Sequence, residues 1–241
     1  MVNKKTDKAV LLAAGFGTRL RPLTLTIPKP LLPLDGTVLI DHQLRYLASS
    51  GIKEVAVNLH YLGEKIKKHI GDGSSFNLKI HYSEEPKILG TGGGIKKASL
   101  PFGKETFVAL NSDTLIDVDI KKLIEHHQKS GAVATMVLKE PAVGDNYNTI
   151  TIDDKGFITE FGHGKYFYTG LQIIGPEMIE MLPSANTESC LINDGYMKLI
   201  QSGKRVGSYI HKGYFNDLGT FDRYEKAKED VKAGRFNLQY T

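Results

Sequence analysis

Leu12-Ala13-Ala14-Gly15-Phe16-Gly17-Thr18-Arg19-Leu20-Arg21-Pro22-Leu23-Thr24, followed by Pro28-Lys29-Pro30, is the stretch that decides how this 241-residue chain is read. It begins at the end of Ala9 to Ala13, a short apolar run that reads as a first, buried strand. Glycines just after such a strand let backbone N–H groups converge on a phosphate oxygen, because no Cβ stands in the way. Two familiar phosphate loops are excluded. The G-x-x-x-x-G-K-[ST] loop is absent, and G-x-G-x-x-G fails because Leu20 stands where the third glycine belongs. What remains is a glycine turn loaded with Arg19, with Arg21 and Lys29 nearby. Arg offers a planar fork to phosphate oxygens, and Lys a mobile point charge. A solvated surface loop explains Arg21 and Thr24 equally well, whereas Gly15, Arg19 and Lys29 together point to phosphate.

Working outward, short apolar runs alternate with helical patterns. Leu39 to Ser49 has helical spacing, with Gly51 as a C-terminal stop, and Glu54 to Leu59 is a second strand. Gly63 to Ile70 is a short helix, Leu78 to Tyr82 a third strand, Gly93 to Ala98 a helix and Phe107 to Leu110 a buried strand. Ile120 to Lys129 is a helix before the strand Val133 to Leu138. This rhythm predicts an α/β fold with a Rossmann-like open, mainly parallel sheet and helices on both faces. Beyond about residue 140 three strands follow in quick succession, Asn148 to Ile152, Phe157 to Phe161 and Phe167 to Ile174, with a tight turn at Asp153-Asp154-Lys155-Gly156. They predict a small antiparallel extension over one end. Helices return at Met178 to Met181, Leu191 to Gln201 and Phe221 to Lys232, and residues 1–241 read as a single domain.

Composition narrows the function. The net charge of +4 comes with no long Lys/Arg tract and no Trp, so a nucleic-acid partner is not expected. No run of about 18 apolar residues predicts a transmembrane helix, and the N-terminal apolar stretch runs into glycines rather than a signal cleavage site. The single cysteine, Cys190, excludes an intramolecular disulfide and reads as a packing residue; a cytoplasmic setting is expected. The adjacent His126 and His127 read as a solvated helix face, and neither H-E-x-x-H nor G-x-S-x-G is present. A homo-oligomer is allowed by the sequence but supported by none of its features.

LAAGFGTRLRPLT followed by PKP resembles the signature of the sugar-1-phosphate nucleotidyltransferases. The resemblance continues at Glu85-Pro86-x-x-Leu89-Gly90-Thr91-Gly92, at Leu110-Asn111-Ser112-Asp113 and at Asn216-Asp217-Leu218-Gly219-Thr220. It implies a nucleoside triphosphate and a sugar 1-phosphate as substrates, with Arg19 and Lys29 catalytic. It further implies nucleotide contacts from Ala13, Ala14, Gly15, Gly17, Thr18, Glu85, Pro86, Gly90, Thr91 and Gly92. Asp113, at the C-terminal end of a strand, and Asp217, in a loop before the last helix, would hold Mg²⁺; the plain alternative is that each caps a turn or helix. Sugar contacts would come from Asn111, Asn148, Lys165, Thr169 and Gly170.

The match departs from the family on the sugar side. His163 and Gly164 occupy the positions of the usual Glu-Lys pair, and Lys165 stands one residue late. Leu89 to Ile95 and Tyr168-Thr169-Gly170 are similar to bacterial N-acetylmuramate-1-phosphate uridylyltransferases, with hexose- or heptose-1-phosphate guanylyltransferases as the alternative. Three other classes compete. A metal-dependent glycosyltransferase would use Asp117-Val118-Asp119 but leaves Arg19 and PKP unexplained. A non-catalytic relative has no need of Arg19, Lys29, Asp113 and Asp217 together, and a dinucleotide oxidoreductase lacks its third glycine.

Overall fold

Alternation along short strands sets the architecture. In β1 (Lys8–Leu12), Ala9 and Leu11 join one apolar cluster while Val10 joins another on the opposite side of the sheet. The computed structural model describes residues 6–236, so the outermost residues of the expected domain, 1–5 and 237–241, lie outside the described residues. After β1 come the hairpin β2 (Pro33–Leu34) and β3 (Thr37–Val38), α1 (Leu39–Ser49), β4 (Glu54–Leu59), α2 (Gly63–Ile70), β5 (Lys79–Glu84), α3 (Gly90–Ala98) and β6 (Phe107–Asn111). Next are β7 (Leu115–Ile116), α4 (Ile120–Ser130), β8 (Ala134–Lys139), β9 (Thr149–Ile152), β10 (Ile158–Phe161), β11 (Tyr166–Ile174) and α5 (Pro176–Met181). A π-helical stretch, Leu191–Tyr196, runs into α6 (Met197–Gln201), followed by β12 (Val206–Ile210), β13 (Phe215–Asn216) and α7 (Phe221–Lys232).

Strands β5, β4, β1 and β6 lie side by side in parallel, and β11 joins β6 antiparallel. Beyond it, β8 pairs antiparallel with β11, and β12 runs parallel to β8. Helices α1, α2 and α4 bury Leu44, Ile66 and Leu123 against the face that carries Leu11, Val57 and Leu110. Helices α3, α5 and α6 bury Ile95, Met178 and Leu199 against the face that carries Val10, Ala56 and Ala109. The expected open, mainly parallel sheet with helices on both faces is the observed one.

Three expectations need correction. The strand Phe167 to Ile174 is not part of an extension: β11 lies inside the main sheet between β6 and β8, because Phe167, Leu171, Ile173 and Ile174 are all buried. Only the hairpin β9–β10 forms the antiparallel extension, hung on the first residues of β11. The helix expected from Gly93 starts at Gly90, because the carbonyl of Ser189 accepts the Gly92 N–H at 2.9 Å and gives the glycine-rich first turn a partner. Of the paired histidines only His126 is exposed as expected. His127 is buried with Nδ1 2.9 Å from Thr135 Oγ1, and His126 Nε2 lies 2.9 Å from the Ser208 carbonyl.

Burial, with His126 nearby, pulls the His127 pKa down from 6.5 to about 4. A depressed folded-state value means that the unfolded chain takes up the proton first. Stability is therefore whole above pH 6.5 and falls as pH drops towards 4, by about 3 kcal/mol at most. Denaturant midpoints measured between pH 7 and 4.5 should fall, and the His127→Gln variant should show a shallower acid-side decline.

Candidate active site

The glycine turn leaves β1 in a fixed direction. Gly17 has φ +62°, and a Cβ there would lie 3.0 Å from the Thr24 methyl and 3.3 Å from Lys29 Cβ. Thr24 is fully buried, and its hydroxyl donates to the Gly17 carbonyl at 2.8 Å. Leu20, 1% exposed, anchors the same turn in a cluster with Leu32, Leu218 and Tyr224 of α7. Complete burial of such a side chain is worth about 1.5–3 kcal/mol. Arg19 and Lys29 thus project from a pinned scaffold rather than a free loop.

Behind the turn, a residue that the sequence reading did not single out holds three elements together. Asn58, at the end of β4, accepts the Ala13 N–H at 2.7 Å and donates to Glu85 Oε1 at 2.8 Å. Glu85 Oε2 accepts the Leu89 N–H at 2.9 Å, just before α3. Both Glu85 carboxylate oxygens are engaged, so this residue positions the nucleotide side and is not a free ligand contact. The signal for Asn58 was present: a lone amide closing the apolar strand EVAVNL at the end where open α/β sheets bind ligands.

The strand ends and the turn enclose a cavity of about 350 Å³. Ala13, Ala14, Gly15, Gly17, Thr18, Arg19, Lys29, Glu85, Gly90, Thr91, Asn111 and Asp113 all line it, with Asn58 and Gly219. Two expected nucleotide contacts do not. Pro86 is exposed outside it, and Gly92 packs against the chain itself, where a Cβ would meet Ser189 Oγ at 2.8 Å and the Ser189 carbonyl at 3.0 Å. Gly90, Gly92 and Gly93 of α3 allow close approach of the segment 187–191, while Gly94 makes room for Asn58 and Glu85.

Asp113 follows β6, and its Oδ2 accepts from Lys29 Nζ at 2.6 Å. Asp217 follows β13. The two-residue ladder pairs Asn216 with Leu115, and so draws Asp217 alongside the chain next to Asp113. Asp217 does not cap α7, since the Thr220 hydroxyl does. Arg223 Nη1 reaches both Asp217 oxygens at 2.7 Å, and the Tyr147 hydroxyl donates to Oδ2 at 3.3 Å. Burial, reinforced by Asp217, raises the Tyr147 pKa well above its usual value and keeps this donor protonated. A Cβ on Gly219 would lie 3.0 Å from Arg19 Nη2 and 3.2 Å from Asp217 Oδ1, so guanidinium and carboxylate flank one glycine. Among the described residues no three His, Cys, Asp or Glu side chains converge. Two hard carboxylate donors fit an ion that draws its other ligands from phosphate and water, which is the habit of Mg²⁺.

The expected sugar contacts divide. Asn111 lines the first cavity, and Asn148 lines a second one of about 630 Å³ together with Tyr147, Thr149, Ile150, Phe161, Gly162, Phe167, Tyr168, Cys190, Ile192, Asn193 and Met197. Two contacts connect the cavity linings: Tyr147 of the second bonds Asp217, two residues before Gly219 of the first, and the Leu191 N–H, between Cys190 and Ile192 of the second, donates to Thr91 Oγ1 of the first at 3.1 Å. Lys165 lies in neither cavity: its ammonium pairs with Glu140 at 2.9 Å on the surface. The Thr169 hydroxyl is buried against the Val137 carbonyl at 2.9 Å. Gly170, at φ +90°, leaves room for Asn111, whose Nδ2 would be 2.8 Å from a Cβ. Thr169 and Gly170 are buried and line neither cavity. Cys190 is exposed on the second cavity, not a packing residue. In the Asp117-Val118-Asp119 segment, Asp119 caps α4 and Asp117 lies 2.8 Å from His211, and neither lines the first cavity.

These features place the chain in a known class. The family model of nucleotidyl transferases matches residues 8–234, and the chain belongs to that family. It is 36% identical over 245 residues to a UTP–glucose-1-phosphate uridylyltransferase of Synechocystis, covering 93% of this chain and 63% of that relative's length. It is 32% identical over 231 residues to an N-acetylmuramate alpha-1-phosphate uridylyltransferase of Neisseria meningitidis serogroup B, covering 92% and 96%. Among solved structures it resembles HddC from Yersinia pseudotuberculosis, with a TM-score of 0.82 at 26% identity over 94% of this chain and all of that one.

Replacing Asn58 with Asp tests the anchoring network. The carboxylate keeps an acceptor for Ala13 but loses the donor to Glu85 and faces it with like charge. Loss of about 2–3 kcal/mol of stability is expected, together with weaker nucleotide binding, read by urea denaturation and by nucleotide titration.

Proposed function

We propose that the chain transfers a nucleotidyl group from a nucleoside triphosphate to a sugar 1-phosphate, giving a nucleotide sugar and pyrophosphate. The observation that carries this reading is the meeting of Arg19, Lys29 and Asp113 in one cavity with the Asp217–Gly219 turn at its wall. A phosphate oxygen of the sugar attacks the α-phosphorus in line. The new P–O bond forms as the bond from the α-phosphorus to the bridging oxygen breaks, and pyrophosphate carries away the electron pair.

Both reactants are anions, so the protein's part is alignment and charge neutralisation rather than covalent chemistry. Arg19 is placed to hold the leaving phosphates with its planar fork. Lys29, already beside Asp113, neutralises charge growing on the α-phosphate oxygens. Asp113 and Asp217 would hold Mg²⁺, which when bound supplies positive charge to the phosphate oxygens of both substrates. The backbone of Ala13 to Gly17 lets the triphosphate lie close to the chain, held in place through Asn58. The same reading sets the protein among the soluble cytoplasmic enzymes that supply nucleotide sugars, including those for cell-envelope polymers.

The test is a matrix of UTP, GTP, CTP, dTTP and ATP against several sugar 1-phosphates, following pyrophosphate release with Mg²⁺. Release with at least one pair is expected, and silence across the matrix removes the proposal. Pyrophosphate also separates this reaction from sugar transfer out of a nucleotide sugar. With an active pair in hand, Arg19→Ala and Lys29→Ala should each lower kcat/KM by about 10- to 100-fold, the worth of one or two charge-assisted hydrogen bonds. Chelation of divalent ions should abolish turnover, and Asp113→Asn or Asp217→Asn should raise the Mg²⁺ concentration needed for half-maximal rate.

A further inference from the structure

The second cavity has a chemistry of its own. Tyr147 stacks on Phe167 with ring centroids 3.9 Å apart and planes 7° from parallel, and Phe215 closes edge-on against both. Phe161 and Tyr168 add two more rings to the wall. Aromatic faces held rigid in this way suit the C–H face of a pyranose ring, while amides at the edge suit its hydroxyls. Asn148 and Asn193 are those amides; both are exposed at the cavity, and neither side chain is hydrogen-bonded to another described residue.

Formal charge is missing from this lining. None of its twelve residues is Asp, Glu, Lys, Arg or His. The lysines and arginine nearest the lining are paired with carboxylates, Lys198 with Asp194 at 3.3 Å, and the exposed His163 is not among the lining residues. Lys165 is paired with Glu140, while Arg223 is held by both oxygens of Asp217 and lies 3.5 Å from Asp145. A carboxylate carried into such a cavity on a sugar finds no cation in its lining, whereas hydroxyl and acetamido groups find the amides of Asn148 and Asn193. The phosphate itself meets cations, because it points towards the Asp113 and Asp217 side, where Arg19 and Lys29 stand.

Building on the nucleotidyl-transfer reading, we infer that the second cavity takes the ring of an uncharged sugar 1-phosphate and discriminates against sugars bearing a carboxylate. The favoured class includes hexoses, heptoses, deoxysugars and N-acetylhexosamines. This departs from the acidic N-acetylmuramate towards which the sequence leans, because the lysine that could have met extra negative charge faces Glu140 instead.

Two matched pairs test it on the full-length protein with saturating nucleotide: glucose against glucuronate 1-phosphate, and N-acetylglucosamine against N-acetylmuramate 1-phosphate. The first pair exchanges one hydroxymethyl group for a carboxylate and so isolates the charge, while the second adds a 3-O-lactyl group that carries one. The neutral member should be favoured by about 10-fold in kcat/KM, the scale of one missing charge-assisted contact in a solvent-open cavity. Calorimetric dissociation constants for the same four compounds should fall in the same order. An Asn193→Lys variant should narrow the gap by about 10-fold by giving the carboxylate a partner. Equal or reversed preference in the unaltered protein overturns the inference while leaving the reaction intact. Pyrophosphate release from none of these or any other sugar 1-phosphate removes the reaction and this inference with it.

Discussion

Three buried hydrogen bonds around Asn58 hold the working end of the sheet together. The Ala13 N–H, the Asn58 amide, the Glu85 carboxylate and the Leu89 N–H form one chain that ties the ends of β1, β4 and β5 to the start of α3. Asn58 and Glu85 are only 3% and 4% exposed, so a missing partner would stay unpaired in a poorly solvated place. The glycine turn inherits its direction from this network. Where Arg19 and Lys29 can reach is therefore set by an amide that touches neither of them.

The charges of the site are organised as matched pairs. Asp113 is met by Lys29, and Asp217 by Arg223, which also reaches towards Asp145 and lies over the Tyr147 ring. On the proposed reaction, substrate phosphates and a divalent ion would compete for the same groups, so loading the site would mean exchanging partners rather than filling an electrostatic void. Tyr147 connects this exchange to the second cavity, since its hydroxyl touches Asp217 while its ring forms the cavity wall. The phosphate side and the sugar side are thus mechanically linked through one aromatic residue.

Most of the parallel half was legible in the sequence because its strands are short, apolar and separated by helices of clear period. Strands β7, β12 and β13 were not legible. Leu115–Ile116 and Phe215–Asn216 are two-residue pieces that exist only through each other, and Val206–Ile210 carries a glycine and earns its strand from pairing with β8. At the site, the glycine turn with Arg19 and Lys29 was readable as basic residues following a strand, while Asp113 and Asp217 were singled out only through the family resemblance. Arg223 and Tyr147 were not, because an arginine in the first turn of a helix and a tyrosine in a loop look like ordinary surface residues until the fold carries them to Asp217.

The sequence by itself determined the class of fold, the glycine turn and the residue types that meet phosphate, since these depend on local pattern and on contacts near in sequence. Only the tertiary structure decided that Glu85 is an anchor, that Gly90, Gly92 and Gly93 of α3 face the chain's own segment 187–191, and that Lys165 turns to Glu140. The reason is physical. Each of those outcomes depends on which partner arrives from a distant part of the chain, and a carboxylate, a glycine or a lysine has no fixed role until that partner is in place.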